Sequence, residues 1–240
     1  MSEPPPTLRA PADRDRQRPD RRRTVLVILA GTVLFAVFAT WLIAFSSVFG
    51  VGTVDVHGTQ VLTAAQVRAA ASLRDGTPLV RVDTDAVTRR VEKLPEVASA
   101  QVRTSFPSTV VITVQERQPV GFVHRPDRDV LVDRTGFQYR TVGSAPAGLP
   151  RFVVPAGASA RTTGGAVATV AASLPAALRR QVRSIEALDP KSITLVLTAN
   201  RVVRWGSASR SADKARLLPT LLARHPAQVD LTDPDQPFTR

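Results

Sequence analysis

Three dispersed histidines and two small sets of aspartates are the residues of this chain that could do acid–base or metal chemistry. His57, His124 and His225 are far apart in sequence and fit no H-E-x-x-H arrangement, so they read as turn or surface residues. Asp83 and Asp85 have the spacing of a carboxylate pair that could hydrolyse a glycan. Both stand where a helix begins, however, and there a carboxylate caps free N–H groups and complements the helix dipole. Asp127, Asp129 and Asp133 fall in or beside a hairpin loop and read as turn residues. The chain has no cysteine, which excludes disulfides, thiolate metal sites and cysteine nucleophiles. No G-x-S-x-G or S-x-x-K motif occurs, and Gly50-Val51-Gly52 lacks the third glycine of a dinucleotide site. The sequence therefore offers no catalytic residue, cofactor site or metal site, and the expectation is a protein that is not an enzyme.

The chain is strongly basic, with a formal charge of +12 over 240 residues. Such a surface suits acidic lipid head groups or anionic wall polymers, although abundant arginine beside scarce lysine also marks an arginine-rich proteome. Aromatic residues make up only 5% of the chain, and no nucleic-acid-binding motif is present, so a nucleic-acid partner is not expected.

The elements that would position any function begin with an apolar run. Residues 24–46 read as one transmembrane helix, with Val25, Leu26, Val27, Ile28, Leu34, Phe35, Trp41, Leu42, Ile43 and Phe45 facing lipid. Val25–Phe45 is 21 residues, enough at ~1.5 Å per residue to cover a hydrocarbon core of about 30 Å. A cleaved signal peptide is the rival, but its apolar region is only about 7–15 residues and ends in a small-residue site that Phe45-Ser46-Ser47-Val48-Phe49 does not provide. Residues 1–23 are rich in Pro and Arg and are expected to be a disordered tail. They carry seven arginines, so the positive-inside rule places them in the cytoplasm and the rest outside, a single-pass type II topology.

Residues 50–118 read as a βααββ unit. A strand over 53–58 is followed by a capping box, Thr63-Ala64-Ala65-Gln66. Val87, Val91 and Leu94 make one apolar helical stripe that Pro95 ends. Two alternating strands follow, joined by Phe106-Pro107-Ser108. Residues 119–233 read as a mixed β-domain with packed helices. Short strands are expected at 120–124, 130–133, 138–141 and 152–154, then a helix over 165–180 interrupted by Pro175. A β-meander over 182–206 turns at Ala199-Asn200. A helix from Ser211 is broken or kinked by Pro219, and 228–232 is the last strand. Residues 234–240 read as a flexible tail, in which Phe238 could anchor. The fold class is thus α+β: one transmembrane helix, a small βααββ domain and a larger β-domain.

The segment Arg103-Thr104-Ser105-Phe106-Pro107-Ser108, its strand and the closing Glu116-Arg117-Gln118-Pro119 resemble the signature of the bacterial cell-division family FtsQ/DivIB. Val54–Gly58 and Leu79–Asp83 resemble the start and middle of that family's POTRA domain. Val130–Gly136 resembles a hairpin of its β-domain, and Arg204-Trp205-Gly206 with Val229-Asp230-Leu231 resembles the end of it. The resemblance implies a division scaffold at the septum. It would bind FtsB/FtsL-like single-span proteins and link them indirectly to septal peptidoglycan synthesis. The expected docking residues are Val229, Asp230, Leu231 and Thr232, as an open sheet edge, with Arg204 and Trp205 as anchors. The POTRA edges at 54–56 and 97–102 are further candidates, unranked.

Overall fold

The computed structural model describes residues 21–45, 49–157, 159–224 and 226–239. The tail expected over residues 1–20, the exit segment 46–48 and His225 lie outside the described residues. Helix α1 (Arg21–Phe45) has 25 residues, about 37 Å at 1.5 Å per residue. It takes in the apolar run and also Arg21–Arg23, which the sequence assigned to the tail. Val25, Leu26, Val27, Ile28, Leu34, Phe35 and Trp41 are all more than half exposed. Leu42, Ile43 and Phe45 belong to the helix backbone, but their side chains lie outside the described residues. Counted over described residues alone, no helix is long and apolar enough to cross a membrane.

The first globular unit follows the βααββ order of the sequence: β1 (Thr53–His57), α2 (Ala64–Ala71), α3 (Thr84–Val91), β2 (Val97–Ser105) and β3 (Thr109–Glu116). β3 lies in the middle of the three-stranded sheet, parallel to β1 and antiparallel to β2. Val67, Ala71, Val87 and Val91 of the helices share one core with Val102, Val110, Ile112 and Val114 of the strands. The capping box forms: Thr63 Oγ1 accepts the Gln66 N–H, and Gln66 Oε1 accepts the Thr63 N–H at 2.8 Å. Asp83 caps α3 by accepting the Ala86 N–H at 2.8 Å, a structural role. Gly58 closes β1 with φ +84°, and a Cβ there would sit 2.1 Å from the Val114 carbonyl oxygen. Gly58→Ala should therefore cost about 2–3 kcal/mol, from the left-handed backbone and the clash together. A thermal melt reads this, and an unchanged midpoint would show that the loop yields freely.

The second unit is one mixed sheet of nine strands: β4 (Pro119–Arg125), β5 (Arg128–Asp133), β6 (Gln138–Val142), β7 (Arg151–Val153), β8 (Val182–Ala187), β9 (Ile193–Leu197), β10 (Val202–Gly206), β11 (Gln228–Asp230) and β12 (Phe238–Thr239). Across the sheet they run β12-β11-β10-β9-β8-β7-β4-β5-β6. Three neighbouring pairs are parallel, β4–β7, β7–β8 and β10–β11, and in the last two the strands are consecutive and need a crossover. α4 (Ala160–Ser173) and α5 (Ala176–Arg179) carry the chain from β7 to β8, and α6 (Ser211–Leu222) carries it from β10 to β11. Val167, Val170, Leu218 and Leu222 of these helices share a core with Ile185, Leu195, Val203 and Trp205 of the sheet.

Three expectations need correction. α4 begins five residues before Gly165, because Gly164 and Gly165 are accommodated inside the helix. Pro219 does not split α6, which runs through it to Leu222; its missing N–H leaves the Ala215 carbonyl without that one bond of the ladder. The tail is not wholly free either, since Phe238 and Thr239 form β12.

The two units meet at Glu116-Arg117. Glu116 Oε1 accepts the N–H groups of Gln60, Val61 and Leu62 at 2.9, 3.0 and 2.8 Å, which fixes the loop before α2 to the end of β3. Burial pushes this carboxyl up, but the N–H groups of Leu62, Gln60 and Val61 and the charge of Arg140 outweigh it and hold it below its usual range. Arg117 donates Nε–H to the Pro95 carbonyl at 3.0 Å on one side of the joint and pairs through Nη1 with Asp133 on the other. Its guanidinium also stacks 4.8 Å above the Phe137 ring. Asp133 in turn accepts the N–H groups of Thr135 and Phe137, so the same carboxylate shapes the β5–β6 turn.

Candidate partner-binding edge

β10, β11 and β12 form one end of the large sheet. Alternation along β10 sends Val203 and Trp205 inward and leaves Arg204 exposed. Trp205 is 0% exposed; its indole N–H donates to Ser211 Oγ at 3.1 Å and its carbonyl accepts Lys214 Nζ at 2.7 Å. Lys214 is buried as well, and burial pulls its ammonium below the usual lysine range. The indole and the ammonium thus lock α6 onto β10 from the inside.

On β11 and just past its end, Val229 and Leu231 point into the core, at 1% and 0% exposure, while Gln228 and Asp230 are half-buried and Thr232 is exposed. The Leu231 N–H donates to the Arg204 carbonyl at 2.8 Å, extending the β10–β11 pairing past the end of the strand. Asp230 accepts the Thr232 N–H at 2.9 Å, and that bond, working against burial, is the main cause of its lowered pKa. Arg204, Gln228, Asp230 and Phe238 line a cavity of about 220 Å³ at this end of the sheet.

β12 pairs antiparallel to β11, with Thr239 opposite Val229 and Phe238 opposite Asp230. The chain turns back through Asp233, whose carboxylate accepts the Asp235 N–H at 3.0 Å, and a bidentate ion pair holds the returning segment: Arg210 Nη1 and Nη2 donate to the two carboxylate oxygens of Asp235 at 2.7 and 2.9 Å. Asp235 is held below its ordinary range chiefly by its hydrogen bond from Arg210. Thus β11 is not the border of the sheet. That place belongs to β12, two residues long, with Phe238 55% exposed.

The structure therefore sorts the six expected docking residues into two groups. Arg204, Asp230 and Thr232 stand at or near the surface of this end of the sheet. Trp205, Val229 and Leu231 complete the core, and their side chains are not available as anchors, because inner faces of adjacent strands must share the helix-covered side. Gln228, Arg210 and Asp235 belong with the surface group, and sequence reasoning passed over them. The only signal for the last two was an arginine and an acidic residue placed 25 positions apart.

The other candidates for chemistry stay apart. His124 Nδ1 lies 2.8 Å from Asp129 Oδ1 on the β4–β5 hairpin, and this bond is the main cause of the lowered Asp129 pKa. His57 is on β1, in the other unit. Among the described residues, no group of three or more His, Cys, Asp or Glu side chains could hold a metal. A cleft of about 480 Å³ between Val123, Phe137, Phe152 and the start of α4 is lined by a single charged side chain, Arg161. It brings together no acid and base.

A three-stranded βααββ unit joined to a β-sheet domain with crossover helices defines the class: a POTRA-like module followed by a mixed β-sheet domain. Residues 49–117 match the domain family described as POTRA domain, FtsQ-type, and residues 121–232 match Cell division protein FtsQ/DivIB, C-terminal. The Cell division protein FtsQ of Streptomyces bingchenggensis is 38% identical over 235 residues, covering 93% of this chain and 88% of that one. That of Streptomyces venezuelae is 37% identical, covering 88% and 82%. That of Mycolicibacterium smegmatis is 36% identical, covering 90% of this chain and 65% of its own length. The chain belongs to the FtsQ/DivIB family of cell-division proteins. A solved extracytoplasmic domain of the cell division protein DivIB from Geobacillus stearothermophilus overlaps 45% of this chain and 93% of its own at 18% identity, with a TM-score of 0.36.

Proposed function

We propose that this protein is a non-catalytic scaffold of the division machinery, anchored by α1 and docking its partners at the β12 end of the large sheet. The observation that carries the docking part is the border strand itself. A two-residue border strand covers little of the sheet edge that an incoming strand would extend, and Phe238 within it, with Arg204 and Asp230 beside it, would supply specificity. The partners are FtsB/FtsL-like single-span proteins, through which the scaffold is linked to septal peptidoglycan synthesis. The anchor reading rests on the exposed apolar side chains of α1 and on Arg21–Arg23 at one end of that helix. It places the tail in the cytoplasm and both globular units outside, at the septum.

The test is co-isolation of the full-length, detergent-solubilised protein from its own cells. Two small single-span proteins with coiled-coil sequences should come with it in fixed proportion. Recovery of the protein without them, under conditions where α1 remains intact, would contradict the docking reading.

A further inference from the structure

We infer that the pole of the POTRA unit carrying Phe49 and Phe106 rests in the head-group layer of the membrane, making a second, peripheral lipid contact beside α1. The inference rests on the reading of α1 as the membrane anchor. Four peptide links separate Phe45, the last residue of α1, from Phe49, so their Cα atoms are at most about 15 Å apart. The interfacial layer beyond the hydrocarbon is itself roughly 5–8 Å deep. A fully extended path would carry Phe49 several Å past that layer and any shorter one brings it closer, so Phe49 emerges beside the interface.

The fold brings a second ring to the same place. The N–H groups of Gly52 and Thr53 both donate to the Ser108 carbonyl, at 2.8 and 3.1 Å. This fixes the tip of the β2–β3 hairpin against the segment that has just left the membrane helix. At that tip Phe106 is 58% exposed, and its ring meets Phe49 edge-on with centroids 6.4 Å apart. The loop on the other side of this segment is tied in as well, with the Val51 N–H bonded to the Thr77 carbonyl and a bridge between Gly50 and Pro78. Val80, two residues beyond that bridge, is 55% exposed although its neighbour Leu79 is buried.

Large apolar side chains at a loop tip in water gain nothing for the fold, whereas aromatic rings are favoured at the membrane interface. Arg81 next to Val80 and Arg103 just before the tip add charges that suit anionic head groups. Lipid fits this pole better than a protein partner because the pole is held within a few residues of the bilayer by the chain itself.

Depth-dependent quenching tests this with the full-length protein. It would be reconstituted in phosphatidylcholine–phosphatidylglycerol vesicles whose acyl chains are brominated close to the head group. Trp205 is buried in the protein core and serves as a constant background. Trp41 in the otherwise unaltered protein reports on α1, and Phe106→Trp in a Trp41→Phe background reports on the hairpin tip. The expected result is loss of about half the emission from position 106, beyond the Trp41→Phe control, for a ring at the interface. Quenching of Trp41 without quenching at 106 would overturn the inference and leave the anchor intact. Absence of quenching at both would mean that the anchor reading itself had failed.

Discussion

Replacement of Glu116 by alanine should lower the stability of the POTRA unit by about 3 kcal/mol, because three backbone N–H groups lose a charged acceptor and stay half-hidden from water. The three donors belong to Gln60, Val61 and Leu62, a loop with no strand or helix of its own to satisfy them. In a thermal melt of the detergent-solubilised protein this corresponds to a drop of roughly 12–24 °C in the first transition. Glu116→Gln keeps one acceptor oxygen and loses the charge, so it should fall between. The same carboxylate gives a pH signature. Its folded-state pKa lies below the ordinary 4.5 because the N–H bonds outweigh burial. Its stabilisation is therefore complete above that value and is lost as pH falls through the lowered one. Asp133 acts in the same direction across the joint: burial raises it, but Thr135, Arg117 and the Phe137 N–H bring it below its ordinary 3.8. The unaltered protein should lose the order of its joint in acid, and the Glu116→Ala variant should lose less because it has less of this stabilisation to give up. A Glu116→Ala melt within about 1 kcal/mol of the parent would contradict the account.

Reversal of the Arg210 charge has its main effect on partner capture and leaves the core alone. Arg210→Asp removes the bidentate grip on Asp235 and sets two like charges against each other, so Phe238 and Thr239 should leave β11. If partners add to the sheet beside β12, recovery of the single-span partners should fall about tenfold or more, as when a hot-spot anchor is lost. The melting midpoint should hardly move, since both side chains are at the surface. Adding Asp235→Arg rebuilds the pair with its signs exchanged and should restore most of the capture. Undiminished recovery with the single Arg210→Asp variant would show that β12 is not the docking strand. Leu231→Pro, the obvious variant from sequence, is a poor test, because Leu231 lies in the core and its N–H is bonded to Arg204.

The POTRA unit was legible in the sequence because its signals are local. Thr63 and Gln66 cap across three residues, Asp83 caps Ala86, and Phe106-Pro107-Ser108 turns one alternating strand into the next. The β-domain was legible as a string of strands but not as an arrangement. The parallel placement of β7 beside β8 depends on α4 and α5 crossing over, which no strand pattern announces. Gly164 fell outside the expected helix and Gly165 stood at its start. In the structure Gly165 allows the helix to approach the β5–β6 turn so closely that a Cβ on Gly136 would sit 2.8 Å from the Gly165 Cα. The site was half legible. Strand alternation alone separates Arg204 from Trp205 and Asp230 from Val229 and Leu231, but which set faces water is decided by the helices packed on the other side. β12 was hidden because the Arg210–Asp235 pair that holds its approach is non-local and because residues 234–240 read as a flexible tail.

The order of strands in the large sheet also sets a distance. β4 continues directly from the Glu116-Arg117 joint, and β12 lies six strands away from it. At about 4.8 Å per strand this places the terminal strand roughly 29 Å from the hinge between the two units. A segment running across the sheet from that joint to the terminal strand would need about 20 residues as a helix and about nine if extended. On the proposed docking reading, a companion chain seated there would stand well clear of the joint between the units.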